Sequence, residues 1–220
     1  MPSPTGTTNA PRISALRLGP LAPGLPEQLV PGADLDSLEF GDLALSELSL
    51  RGASVAKSRL PALSATEADF TGAQFSEVEF ARLNIPTVRA HRSRWSEVTM
   101  TGRIGSFQAH EASFRSVRLV ACKLGLLNLR NASLLDVEIV DCRIDELDLT
   151  HAKVRRIRFE NTQVNRIELQ HAALQDVDLR GATITSVDAV TNLRGTTFAP
   201  WQIADLAPLM AREVGIRIED

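Results

Sequence analysis

Between Ala112 and Ala189 every fifth residue is apolar. The centres are Phe114, Leu119, Leu124, Leu129, Leu134, Ile139, Ile144, Leu149, Val154, Phe159, Val164, Leu169, Leu174, Leu179 and Ile184. Two residues before each centre stands another uncharged residue, as in Ala112, Val117, Cys122, Leu127 and Ala132. Polar and charged residues dominate the other three places. A strict period of five fits neither a helix nor a flat strand. It demands a winding chain that returns both uncharged residues to one interior, turn after turn.

The number of sides follows from residue size. Stacked coils place like above like. At a spacing of 20, Ala112, Ala132, Ala152 and Ala172 align, as do Val117, Val137, Ile157 and Val177. At 15, a three-sided coil would set Ala112 over Leu127 and Cys142 over Ile157. Twenty is the better fit, so each coil has four sides of five residues. The six-residue β-helix repeat does not match this period.

The fives begin at Ala33-Asp34-Leu35 and run through Phe40, Leu60, Phe80 and Met100. The clearest copy is Glu67-Ala68-Asp69-Phe70-Thr71-Gly72-Ala73-Gln74-Phe75. Residues 33 to 191 resemble the bacterial pentapeptide-repeat family, whose units read roughly Ala-(Asp/Asn)-Leu-x-x. The resemblance implies an all-β solenoid, a right-handed quadrilateral parallel β-helix; the count of fives gives it about eight coils, and the residues after Asn192 are expected to form a C-terminal helical cap. It also implies a protein-binding role. Some family members mimic DNA and occupy DNA gyrase, giving quinolone resistance or self-protection. In some, a C-terminal helix makes a dimer.

Composition narrows the setting. A formal charge of −3 argues against a generally basic nucleic-acid binder. Two cysteines argue against a disulfide scaffold. No apolar run reaches the ~20 residues of a membrane span, and the N-terminus lacks signal-peptide character. A cytoplasmic protein is expected.

The ends of the chain differ from the middle. Residues 1–32 hold seven of the 11 prolines, which exclude a long helix or a central strand. They read as a partly disordered tail to about Ala10, after which Ile13, Leu16 and Leu18 are candidates to cover the first coil's edge. Residues 192–220 read as a helix beginning at Pro200, kinked or restarted at Pro208, with an apolar stripe of Ile203, Leu206, Met210 and Val214. A last short strand is expected at Ile216–Ile218. This segment is a cap, alone or with a dimer contact. Within the repeat the phase slips once: centres fall on multiples of five up to Met100 and restart at Ile104, with Gly102 and Gly105 flanking the loss of one residue. The slip is either a compressed corner or a loop.

Catalytic patterns are missing from the sequence. His110-Glu111 has no second histidine to complete a zinc-protease helix, and there is no phosphate loop, dinucleotide fingerprint or nucleophile elbow. Cys122 and Cys142 fall on inward places one coil apart. His91 and His110 occupy equivalent places in adjacent coils, as do His151 and His171. Each pair supplies two ligands where a closed zinc site needs four. No enzyme, cofactor or metal is expected.

Outward charge is the remaining source of function. On the second side, the residue before each centre reads Glu39, Arg59, Glu79, Thr99, Arg118, Glu138, Arg158, Asp178. This alternating ladder would pin register. The third side stacks Arg103, Lys123 and Arg143. The fourth stacks Asp148, Glu168 and Asp188. Like charges at strand spacing oppose one another, so these six residues are the candidate partner-binding sites. Residues 82 to 130 carry nine bases against two acids, a basic waist around Trp95, but without the aromatic series of a single-strand binder. The expected function is a non-enzymatic scaffold that binds a protein partner through a flat side. Direct nucleic-acid binding is not expected. The alternative is a DNA mimic acting on gyrase, which would need a long negative side.

Overall fold

A computed structural model describes residues 7–213 and 215–217. All strand pairs are parallel, and the strands belong to one continuous sheet that winds on itself. The longest run of neighbouring strands passes from Ala22–Gly24 to Thr196–Thr197 in about nine turns, one more than the count of fives suggests. The extra turn comes from the proline-rich segment: Ala22–Gly24 pairs with Leu38–Phe40 and covers the lower edge.

The twenty-residue register holds through most of the stack. Leu134 lies over Phe114 and under Val154, and Ala132 continues the backbone ladder between Ala112 and Ala152. Both residue classes of the five face inward, and Leu129, Leu149 and Ala152 are buried. Side-chain volume varies along the axis. Phe70, Phe75, Phe80, Trp95, Phe107 and Phe114 fill the middle, with Trp95 stacked 4.2 Å from Phe75. The Trp95 indole N–H donates to Ser93 Oγ at 2.7 Å, so the aromatic of the basic waist is a core residue.

The corners explain how a flat strand turns. Gly32, Gly52, Gly72, Arg92, Glu111, Asn131, His151 and His171 form one column, and Ser37, Lys57, Glu77, Glu97, Ser116, Asp136, Arg156 and Asp176 another. All have positive φ. Left-handed backbone disfavours non-glycine residues, so the stacked ladder holds these corners in place.

The phase slip is a compressed corner. The strand Arg94–Gln108 runs straight through it, and the register against Gln74–Arg89 shifts between Phe80 and Leu83. Gly102 stands opposite Leu83 at φ 129, where a Cβ would lie 2.3 Å from the Leu83 carbonyl oxygen. Glycine is required there because the two backbones touch.

At the upper end an α-helix, α1 (Pro200–Glu213), runs unbroken through Pro208. It buries Gln202 and Leu206. The Gln202 amide donates to the carbonyls of Leu179 and Ala182 at 2.8 and 2.7 Å, satisfying open acceptors of the last coil. Ile216 and Arg217 are not in a strand. Val214 and Ile218 lie outside the described residues.

The residues around Asn9 and Arg12 do not sit over the first coil. They run back along the outside of the rod. Asn9 bonds Asp176 through its backbone and side-chain nitrogens, and the Arg12 backbone N–H donates to Asp136 at 2.8 Å. Pro11, Ile13, Leu16, Leu18 and Leu21 are half-buried along this strip.

Candidate functional site

Four walls follow from the register, and they differ in how their charges are satisfied. On the second wall the ladder stacks as expected: Glu39 on Arg59, Arg59 on Glu79, Glu138 between Arg118 and Arg158. Arg59 pairs with Glu79 at 2.7 Å and Arg118 with Glu138 at 3.1 Å. Higher up the pairing turns along the strand. Arg158 pairs with Glu160, and Asp178 with Arg180 at 2.7 Å. The Arg180 guanidinium holds the Asp178 carboxyl below its usual range.

The fourth wall stacks Asp148 on Glu168 and Glu168 on Asp188, but this is not an open negative strip. Asp148 is only 5% exposed. One of its oxygens accepts the Thr150 N–H at 2.9 Å and the other pairs with Arg130. Arg130 also reaches Glu168 at 3.6 Å, while Arg166 pairs with Glu168 at 3.1 Å and Asp188 at 2.5 Å. Two arginines thread through three acids.

The third wall is different. Arg103 stacks on Lys123 and Lys123 on Arg143, and all three are exposed. Arg143 approaches Asp145 at 3.7 Å. Among the described residues, Arg103 and Lys123 have no acid within 4 Å. Small residues, Ala121 and Gly125, flank Lys123 and leave it bare. The upper part of this wall opens into a groove of about 620 Å³ lined by Lys123, Arg143, Asn161, Arg180 and Trp201. Trp201 comes from α1 and is 56% exposed.

The first wall was missed in the sequence. Its two outward columns run Gln74, Arg94, Ser113, Ser133, Lys153, Ala173 and Ser76, Ser96, Arg115, Leu135, Arg155, Gln175. Each column taken alone shows two isolated bases. Side by side they hold four cations and no carboxylate.

The cysteines and histidines are placed as stacks. Cys122 and Cys142 are free and buried, with the Cys122 N–H donating to Cys142 Sγ at 3.3 Å. His91 and His110 stack with ring centres 3.7 Å apart, and His151 and His171 at 4.8 Å. Burial and then the neighbouring His110 push the His91 pKa down.

Taken together, the parallel ladder and the five-residue inward pattern define a β-solenoid. Residues 112–188 match the pentapeptide repeat region family, so the chain carries a pentapeptide-repeat region. Its similar solved structures include two trypsin-treated variants of QnrB1, a plasmid-mediated fluoroquinolone resistance protein. These are 13% and 14% identical, cover 86% of this chain and 100% and 93% of theirs, and have TM-scores of 0.31 and 0.32. Full-length QnrB1 is 14% identical over 84% of this chain and 92% of its own, with a TM-score of 0.27. No curated protein matches the sequence.

Proposed function

We propose that this protein is a non-enzymatic interaction rod that engages a protein partner through its third wall. The observation behind this reading is the contrast in charge pairing. The second and fourth walls satisfy most of their own charges. Arg103 and Lys123 stack like on like, exposed and unpaired, and lead into the groove beside Trp201. Stacked like charges oppose one another, and a partner's carboxylates would relieve that cost. The test is a comparative pull-down from native extract. A protein retained by the wild-type rod should be lost with Arg103→Glu/Lys123→Glu, with the circular dichroism spectrum unchanged. Equal retention by both would defeat the assignment of this wall.

The gyrase-mimic reading loses its main support. Mimicry needs a continuous negative wall to stand in for phosphates, and Asp148 is buried against Arg130. No inhibition of gyrase supercoiling is expected, and inhibition by the wild-type rod would restore that reading. The outer face of α1 is part of the same proposal. Trp201 and Ile203 are 56% and 43% exposed, and a second copy would cover them. Sedimentation of wild type against Trp201→Glu checks this, with a dimer expected for the first alone.

A further inference from the structure

The first wall carries exposed cations of its own. Arg94, Arg115, Lys153 and Arg155 are exposed, and among the described residues none has an acid within 4 Å. Between Gln74 and Gln175 the two outward columns contain no carboxylate. The nearest acids in the same columns, Asp34 and Asp36, stand at the far end of the rod. Glu97 and Glu111 lie on the bordering corners rather than on the wall. Beside the upper half, the corner acid Asp136 is already occupied by Arg156 and by the backbone of Arg12. The other acid on that corner, Asp176, accepts hydrogen bonds from Asn9, so the N-terminal arm ties down both corner acids and sets the Arg12 guanidinium near Asp136.

The spacing of the cations selects a partner. Arg115 and Arg155 share a column two coils apart, about 10 Å along the axis. Lys153 and Arg155 lie two residues apart on one strand, about 7 Å across it. In an α-helix, residues seven apart are separated by roughly 10.5 Å, and the whole helix is roughly 10–12 Å wide. An acidic helix laid along the rod axis thus meets cations at its own repeat and fits within one wall. A nucleic-acid duplex would overhang onto the carboxylates of the neighbouring walls, and the wall presents no element to enter a groove.

We propose that the first wall binds the acidic face of a protein helix, with Arg115, Lys153 and Arg155 as its main contacts. The surface is separate from the third wall. The probe is a fluorescent, alanine-based helical peptide with glutamates repeating at spacings of three, four and seven. Its binding to the full chain is followed by anisotropy at low salt. A scrambled peptide of equal charge and a DNA duplex serve as competitors. The patterned peptide should bind, and Arg115→Glu/Arg155→Glu should weaken it roughly tenfold. Arg103→Glu/Lys123→Glu, which changes net charge equally on the third wall, should leave it within about twofold. Equal binding of the scrambled peptide, equal loss from both double variants, no binding, or tighter binding of the duplex would each overturn the proposal. The duplex result would assign the wall to nucleic acid instead.

Discussion

Arg156 reaches back one coil and closes on Asp136 through two hydrogen bonds, 2.6 and 2.7 Å long, with both residues buried. The same carboxylate accepts the Arg12 N–H at 2.8 Å. One acid thus joins two coils and the arm that runs along them. Buried pairs are costly to break from one side because the survivor is left uncompensated. Asp136→Ala should lower the melting temperature by roughly 5 °C, and Asp136→Ala/Arg156→Met should recover most of that loss. The single variant should also open the chain near Arg12 to trypsin, visible as faster cleavage of the arm.

The pH dependence of that pair has a defined sign. The hydrogen bond from Arg156 is the largest influence on Asp136 and holds its pKa below the ordinary carboxylate value. The unfolded chain binds this proton more readily, so the stabilisation is full above a pH of about 3.9 and is lost as pH falls through the folded value. Acid unfolding of Asp136→Asn should show a shallower fall in stability below that pH than wild type.

His91 works in the opposite chemical sense with the same direction in pH. Burial first, and then the ring of His110 3.7 Å away, depress its pKa. The unfolded chain takes up the proton near pH 6.5 while the folded one resists. Stability is therefore retained above pH 6.5 and falls as pH drops toward the folded value. Thermal melts at pH 7.5 and 5.5 should differ less in His110→Ala than in wild type.

Gly102 tests the compressed corner. A methyl group there meets the backbone of Leu83, not a movable side chain, at a φ disfavoured for other residues. Gly102→Ala should cost about 2 kcal/mol or more. Gly41→Ala, where a Cβ meets nothing within 4 Å, should be close to neutral. Denaturant titration of the two variants separates them.

Interior and exterior substitutions should behave in opposite ways. Leu149→Asp puts a carboxylate into a closed coil and should unfold the rod. Lys123→Glu replaces the middle of three stacked cations and should leave the melting temperature unchanged or raised. A large loss of stability on Lys123→Glu would mean that Lys123 has a structural partner on the wall.

Much of the architecture was legible in the sequence. The inward sets, the twenty-residue register and the cap beginning at Pro200 all follow from which side chains avoid water. That choice is made between neighbours on the chain, and a period of five records it residue by residue. The stacking of Arg103, Lys123 and Arg143 was equally readable, because register alone decides it.

The tertiary structure decided which charges are free. Arg158 has acids above and below it in its own column, yet it pairs with Glu160 on its own strand. Asp148 is read as an outward acid, but Arg130, arriving from the previous coil, takes it out of solvent. The bare cations of the first wall are divided between two columns, so neither column shows them alone. The arm finds Asp136 and Asp176 across more than a hundred residues of chain. Burial depends on whether a side chain points in or out, which the repeat states directly. Ion pairing depends on which of several partners at similar distances a long side chain reaches, and only the folded geometry makes that choice.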